Sequence, residues 1–182
     1  INGPSEMIMI STGSQSTIDA AIKVLLEDGD LVIVEAPSYL ATLTALKIRN
    51  LDVQEVTLED DGMNLEELEE IVSKRKPKFV YTIPNFQNPT GITTSIQKRN
   101  RLAELAQKYS FLIVEDDPYF ELNYSNEDMP TIYSFAPDNT IYIGSFSKIV
   151  TPGLRVGYAI AHPELIESMT KVREVNEMHT PT

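Results

Sequence analysis

The sequence has no cysteine and only two histidines, His162 and His179, in 182 residues. Without cysteine there can be no disulfide, zinc-thiolate site, iron–sulfur cluster or thiol nucleophile. Two histidines leave little material for a histidine-rich metal site or a His-based triad. Positive charge is also scarce: 15 Lys+Arg stand against 27 Asp+Glu, a formal net charge of −12 at pH 7. A surface of that sign repels polyanions, so neither nucleic acid nor an anionic membrane is an expected partner. The longest apolar runs are strand-sized and no signal-peptide pattern opens the chain, so a soluble, cytoplasmic protein is expected. There is no internal repeat, low-complexity tract or Gly/Ser-rich linker, and the length suits one domain. The chain begins at Ile1 and stops just after a helical pattern, as a piece of a longer polypeptide would.

What is present is a recurring unit, a short β-branched run followed by a helical pattern. Strands are expected at 7–11, 31–35, 53–58, 79–83, 111–115 and 140–145, and helices at 16–27 and 39–49. Asn64 is a candidate cap for a helix presenting Leu65, Leu68, Ile71 and Val72 on one face. Ser95 is a candidate cap for another, with Leu102, Leu105, Ala106 and Tyr109. Most strands are nearly all apolar, as parallel strands covered on both faces are. A seventh strand at 156–161 follows after only about ten residues, too few for a parallel crossover, so it is expected to run antiparallel. A last helix is expected at 163–178. The fold expected is a three-layer α/β/α domain with a seven-stranded, mostly parallel sheet and one antiparallel strand.

In open parallel sheets ligands bind at the carboxyl ends of the strands, so the residues that follow each strand form one set. They are Thr12-Gly13-Ser14-Gln15, Pro37-Ser38-Tyr39, Asn85 to Gly91, Asp116-Asp117-Pro118-Tyr119 and Ser145-Phe146-Ser147-Lys148, with Arg155 leading into the seventh strand. Taken singly, each has a plain explanation. Gly13-Ser14-Gln15 can be an anion-binding helix start or only a capped tight turn. Asn88-Pro89-Thr90-Gly91 has the composition of an ordinary turn. Asp116 and Asp117 can be solvated loop charges. A magnesium site from Glu115, Asp116, Asp117 and Glu121 lacks the phosphate-lysine loop that would accompany it. Lys148 is the sharpest single residue, because apolar chain lies on both sides of it at a strand end. Desolvation there would free its amine as a nucleophile for Schiff-base chemistry. Arg155 can grip a phosphate bidentately.

Together these motifs resemble the large domain of fold-type I pyridoxal-phosphate aminotransferases, in order and spacing along essentially the whole chain. The most specific pieces are Asn88-Pro89-Thr90-Gly91 and Ser147-Lys148 followed by Gly153-Leu154-Arg155-Val156-Gly157. The wording is similar to the branch holding 2-aminoadipate, kynurenine and aromatic aminotransferases and the aminotransferase-like half of MocR regulators. The resemblance implies pyridoxal 5'-phosphate as cofactor, carried by Lys148 as a Schiff base, with Lys148, Asp116 and Tyr39 as the catalytic set. Asp116, not Asp117, would pair with the pyridine nitrogen. Asn88 and Tyr119 would hydrogen-bond the ring 3'-oxygen, and Tyr39 would stack on the ring. Gly13, Ser14, Gln15, Ser145, Ser147 and Arg155 would hold the phosphate. No metal is implied. Residues 1–182 would be the cofactor-binding large domain, lacking the family's N-terminal segment and C-terminal small domain, where the arginine for the substrate carboxylate resides. The implied activity moves an amino group from an amino acid to a 2-oxo acid, 2-oxoglutarate first, in a homodimer. The alternatives are the effector domain of a MocR-type regulator, or another fold-type I reaction such as a lyase or synthase.

Overall fold

The computed structural model describes residues 4–124, 129–177 and 179. Its strands are β1 (Ile8–Ser11), β2 (Leu31–Ala36), β3 (Asp52–Glu59), β4 (Gly62–Met63), β5 (Phe79–Thr82), β6 (Leu112–Asp116), β7 (Thr140–Ser145) and β8 (Gly157–Ile160). Its helices are α1 (Ser14–Leu25), α2 (Leu40–Lys47), α3 (Leu65–Lys74), α4 (Ile96–Tyr109), α5 (Ile132–Phe135) and α6 (Pro163–Asn176). One sheet runs in the order β1-β8-β7-β6-β5-β2-β3-β4. The pairs β2–β3, β2–β5, β5–β6 and β6–β7 are parallel. Strand β8 is antiparallel to both of its neighbours, β7 and β1, as its short connection requires.

Because successive strand residues point to opposite faces, most of the apolar runs divide between two cores, with Tyr142 and Ile160 in a smaller third cluster. Val32, Val34, Phe79, Tyr81, Val114, Ile141 and Ile143 meet Ile18 and Ile22 of α1, Leu46 of α2 and Ile166 and Met169 of α6. On the other face Ile33, Val80 and Ile113 meet Leu65, Leu68 and Val72 of α3, Leu102 and Leu105 of α4 and Ile132 of α5. The three-layer α/β class is therefore the one expected. The strand count differs by one, since Gly62–Met63 returns antiparallel to the end of β3; two residues carry no periodicity to read. The caps are as expected: Asn64 Oδ1 accepts from Glu67 N at 2.8 Å, and Ser95 Oγ from Lys98 N at 3.3 Å. Among the described residues no helix is long and apolar enough to cross a membrane.

Candidate functional site

The carboxyl ends of β5, β6 and β7, the turn into α1 and the approach to α2 enclose a cleft of about 190 Å³. Ser14, Gln15, Tyr39, Asn88, Asp116, Tyr119, Ser145, Ser147, Lys148 and Arg155 line it, with Ile83 and Pro118. Residues scattered over more than 140 positions of sequence are thus brought together. Gly13, the remaining candidate, lies directly against Arg155.

The anion-binding end is built by glycines. Gly157 of β8 pairs with both Ser11 and Ser145, so it lies between β1 and β7 just below the turn into α1. A Cβ at Gly157 would stand 2.6 Å from the Gly13 carbonyl carbon and 2.7 Å from Ser14 N. Gly13 has φ +89°, and a Cβ there would reach Arg155 Nη2 at 2.7 Å. Only residues without side chains let the start of α1 settle onto the sheet with the guanidinium over it. Ser14 and Gln15, the first residues of α1, line the cleft together with Arg155 and Ser145, a setting suited to a phosphate. Gly157→Ala is expected to cost about 1–3 kcal/mol through overpacking. A denaturant midpoint equal to that of the parent would contradict so tight a fit.

The acidic end rests on strand alternation. Asp116 is the last residue of β6, 3% exposed, and shares its face with Tyr81 of β5, whose hydroxyl donates to Oδ2 at 2.6 Å. Oδ1 is buried with no partner among the described residues. Burial pushes the carboxyl up to about 7, against the lowering effect of the Tyr81 hydrogen bond. Burial and the nearby Asp116 charge push the Tyr81 hydroxyl well above the usual tyrosine range, which keeps it a donor. Glu115 and Asp117 point to the opposite face. Glu115 accepts from the backbone N–H groups of Ile132 and Tyr133, both at 2.8 Å. Asp117 accepts from Asn85 Nδ2 at 2.8 Å, and Asn85 Oδ1 accepts from the fully buried Arg99 at 2.6 Å. The three acids therefore do not converge, and no cluster of three metal-ligating side chains occurs among the described residues.

Lys148 departs from expectation in its surroundings. Its side chain is exposed, as are its neighbours Ile149 (43%) and Val150 (64%), so this chain does not supply the dehydration that the flanking apolar residues suggest. Its Nζ lies 5.9 Å from the Tyr119 ring centre. Tyr39 and Tyr119 are half-buried against the α1-side core, and Asn88 is half-buried in its turn.

Three polar residues of this region were not singled out from sequence: Tyr81, Glu35 and Gln87. Glu35 directly follows the apolar run Leu31–Val34 and is 1% exposed, and Gln87 is 2% exposed. A carboxylate on the end of an all-buried strand must find donors, and that was the signal available.

The family described as Aminotransferase class I and II matches residues 3–180. A 2-aminoadipate transaminase from Thermus thermophilus is 38% identical over 180 residues, covering 97% of this chain and 45% of the relative. An aromatic-amino-acid aminotransferase from Thermococcus litoralis is 42% identical over 181 residues, covering 96% and 43%. The crystal structure of the Thermus thermophilus alpha-aminoadipate aminotransferase complexed with N-(5'-phosphopyridoxyl)-L-leucine superimposes with a TM-score of 0.92 at 38% identity, over 97% of this chain and 46% of that one. The chain thus spans just under half the length of these relatives.

Proposed function

The chain belongs to the class I and II aminotransferase family, and on that premise we propose that residues 1–182 are the large, cofactor-binding domain of a pyridoxal-phosphate-dependent aminotransferase. The full-length protein would move an amino group from an amino acid to a 2-oxo acid, with 2-oxoglutarate as acceptor. The observation that carries the reading is the unpartnered buried Oδ1 of Asp116, facing one cleft together with Lys148 and the phosphate-shaped turn under Arg155.

Those residues fit the cofactor. A protonated ring nitrogen would give Oδ1 the donor it lacks, and a cation there draws the carboxyl back down from about 7. Gln15 Oε1 is a second buried acceptor without a partner on the same cleft. Ser14, Gln15, Ser145, Ser147, Arg155 and the first amides of α1 hold the phosphate, with Gly13 allowing close approach. Asn88 and Tyr119 hydrogen-bond the ring 3'-oxygen, and Tyr39 covers a ring face. Bound pyridoxal phosphate supplies an electron sink for charge developing at the substrate Cα. Asp116 keeps the proton on the ring nitrogen. Lys148 would hold the cofactor covalently, and its free amine would move the proton at the substrate Cα as general base and acid.

Leu40 (75% exposed) adjoins the cleft residue Tyr39 in sequence, and Ile149 (43%) and Val150 (64%) follow Lys148, which supports cover by chain outside this domain. We assign a cytoplasmic homodimer to the full-length protein; a monomeric sedimentation profile would contradict the dimer. The activity itself is read by offering the full-length protein 2-aminoadipate, kynurenine and aromatic amino acids with 2-oxoglutarate. Glutamate should accumulate with at least one donor. Its absence with every donor would sink the assignment.

A further inference from the structure

Two neighbouring loops line the cleft, one carrying Tyr39 after β2 and one carrying Asn88 after the adjacent β5. Behind them lies a chain of hydrogen bonds, buried at Glu35, Thr82 and Gln87 and reaching the surface at Pro37 and Thr90, that the cofactor reading leaves unused. Glu35 receives Thr82 Oγ1 on one oxygen and Gln87 Nε2, at 3.1 Å, on the other, which also takes the Ile83 N–H at 3.4 Å. The same Gln87 Nε2 donates to the Pro37 carbonyl at 2.8 Å. Its Oε1 accepts from both the N–H and the hydroxyl of Thr90, at 3.0 and 2.8 Å. One amide therefore ties the Pro37-Ser38-Tyr39 segment to the Asn88–Gly91 turn, with Glu35 as the fixed point in the sheet.

We propose that Glu35 and Gln87 are positioning residues, a buried brace that fixes Tyr39 relative to Asn88, and so the cover over the cofactor ring relative to the donor to its 3'-oxygen. The proposal rests on the cofactor reading above and adds to it two residues that do not touch the cofactor. A brace explains why a carboxylate is kept at a place where burial is costly and an apolar side chain would fill the space. Burial, with a smaller contribution from the Asp116 charge, raises Glu35 to about 7, and the donors of Thr82, Gln87 and Ile83 work against that rise. Geometry, not charge, is the requirement. A glutamine at position 35 keeps an acceptor for Gln87 and Ile83, and its amide can donate to the Thr82 hydroxyl. A methionine at position 87 keeps the volume and breaks both ties.

The test uses the full-length protein, with pyridoxal phosphate titrated into the parent, Glu35→Gln, Gln87→Met and Thr90→Val. The readouts are the dissociation constant, the visible absorption maximum of the bound cofactor and the denaturant midpoint of the cofactor-free form. Gln87→Met should weaken binding by about tenfold or more and shift the absorption maximum, because the ring-oxygen donor is displaced. Glu35→Gln should stay within about threefold of the parent with an unshifted band. Thr90→Val, an exposed change that leaves the fold intact, should fall between them and carries the test if Gln87→Met does not fold. Parent-like affinity and absorption in both Gln87→Met and Thr90→Val would overturn the brace alone. Loss in Glu35→Gln equal to that in Gln87→Met would also overturn it, since charge would then be what matters. A parent that takes up no pyridoxal phosphate would overturn the cofactor reading and the brace with it.

Discussion

Replacing Lys148 with alanine is expected to abolish covalent capture of pyridoxal phosphate and to lower amino transfer by the full-length protein on the order of 10⁴-fold. The size follows from losing at once the two roles proposed for Lys148, the covalent anchor and the base that would move the Cα proton. Among the described residues no other lysine lines the cleft. Folding should hardly change, because the side chain is exposed at the end of β7; about 0.5 kcal/mol or less is expected. Equal denaturant midpoints with extinguished activity would separate chemistry from stability. Retained turnover in Lys148→Ala would mean that another amine does the work.

Asp116→Asn should reduce amino transfer by roughly 10²- to 10³-fold, by removing the charge that holds a proton on the ring nitrogen while keeping the shape. The Tyr81 hydroxyl still finds an amide oxygen to donate to. The same substitution should act in the opposite direction on the cofactor-free protein. Burial raises Asp116 to about 7, from an ordinary value near 4 in the unfolded chain. Between those values the folded state holds a proton that the unfolded state gives up, so the stability from this group is lost as pH rises through that window. Glu35 at about 7, Glu115 at about 8 and Asp117 at about 6 share the sign. Ion-paired surface carboxylates such as Asp61, held down chiefly by Lys98, have the reverse dependence and lose their contribution as pH falls. The difference between parent and variant isolates Asp116. Without cofactor, Asp116→Asn should gain on the parent as pH rises from about 4 to about 7. A parent that outlasts the variant in denaturant at the higher pH would contradict a buried, unpaired Asp116.

The layered sheet was legible because β-branched runs and capped helical stretches carry strong local signals. The antiparallel β8 followed from a link too short for a crossover. Strand β6 runs one residue further than its pattern suggests, which places Asp116 inside the sheet and gives its carboxyl a buried face. Helix α1 starts at Ser14, two residues early, because the positive φ of Gly13 turns the chain directly into it. The short α5 and β4 lacked the length to show a period. Within the cleft, polar residues just after each strand were readable as a set, since the sheet's own rule gathers them. Tyr81 and Glu35 were not, because they sit within strands where sequence alone shows no partner across the sheet, and Gln87, though inside the Asn85 to Gly91 stretch, carried no sign of its ties to Glu35 and Pro37. The exposed setting of Lys148 was misjudged for a related reason: flanking apolar residues bury a side chain only if other chain covers them, and Ile149 and Val150 are uncovered here.

The central claim is that Lys148 is the covalent seat of pyridoxal phosphate, in a site whose opposite end is Asp116. It is tested most directly by adding pyridoxal phosphate to the full-length protein, reducing with borohydride, digesting and locating the phosphopyridoxyl group by mass spectrometry. The account predicts the group on the peptide containing Ser147-Lys148-Ile149, and none on that peptide without reduction. A group fixed on another lysine, or no fixed group at saturating cofactor, would contradict it.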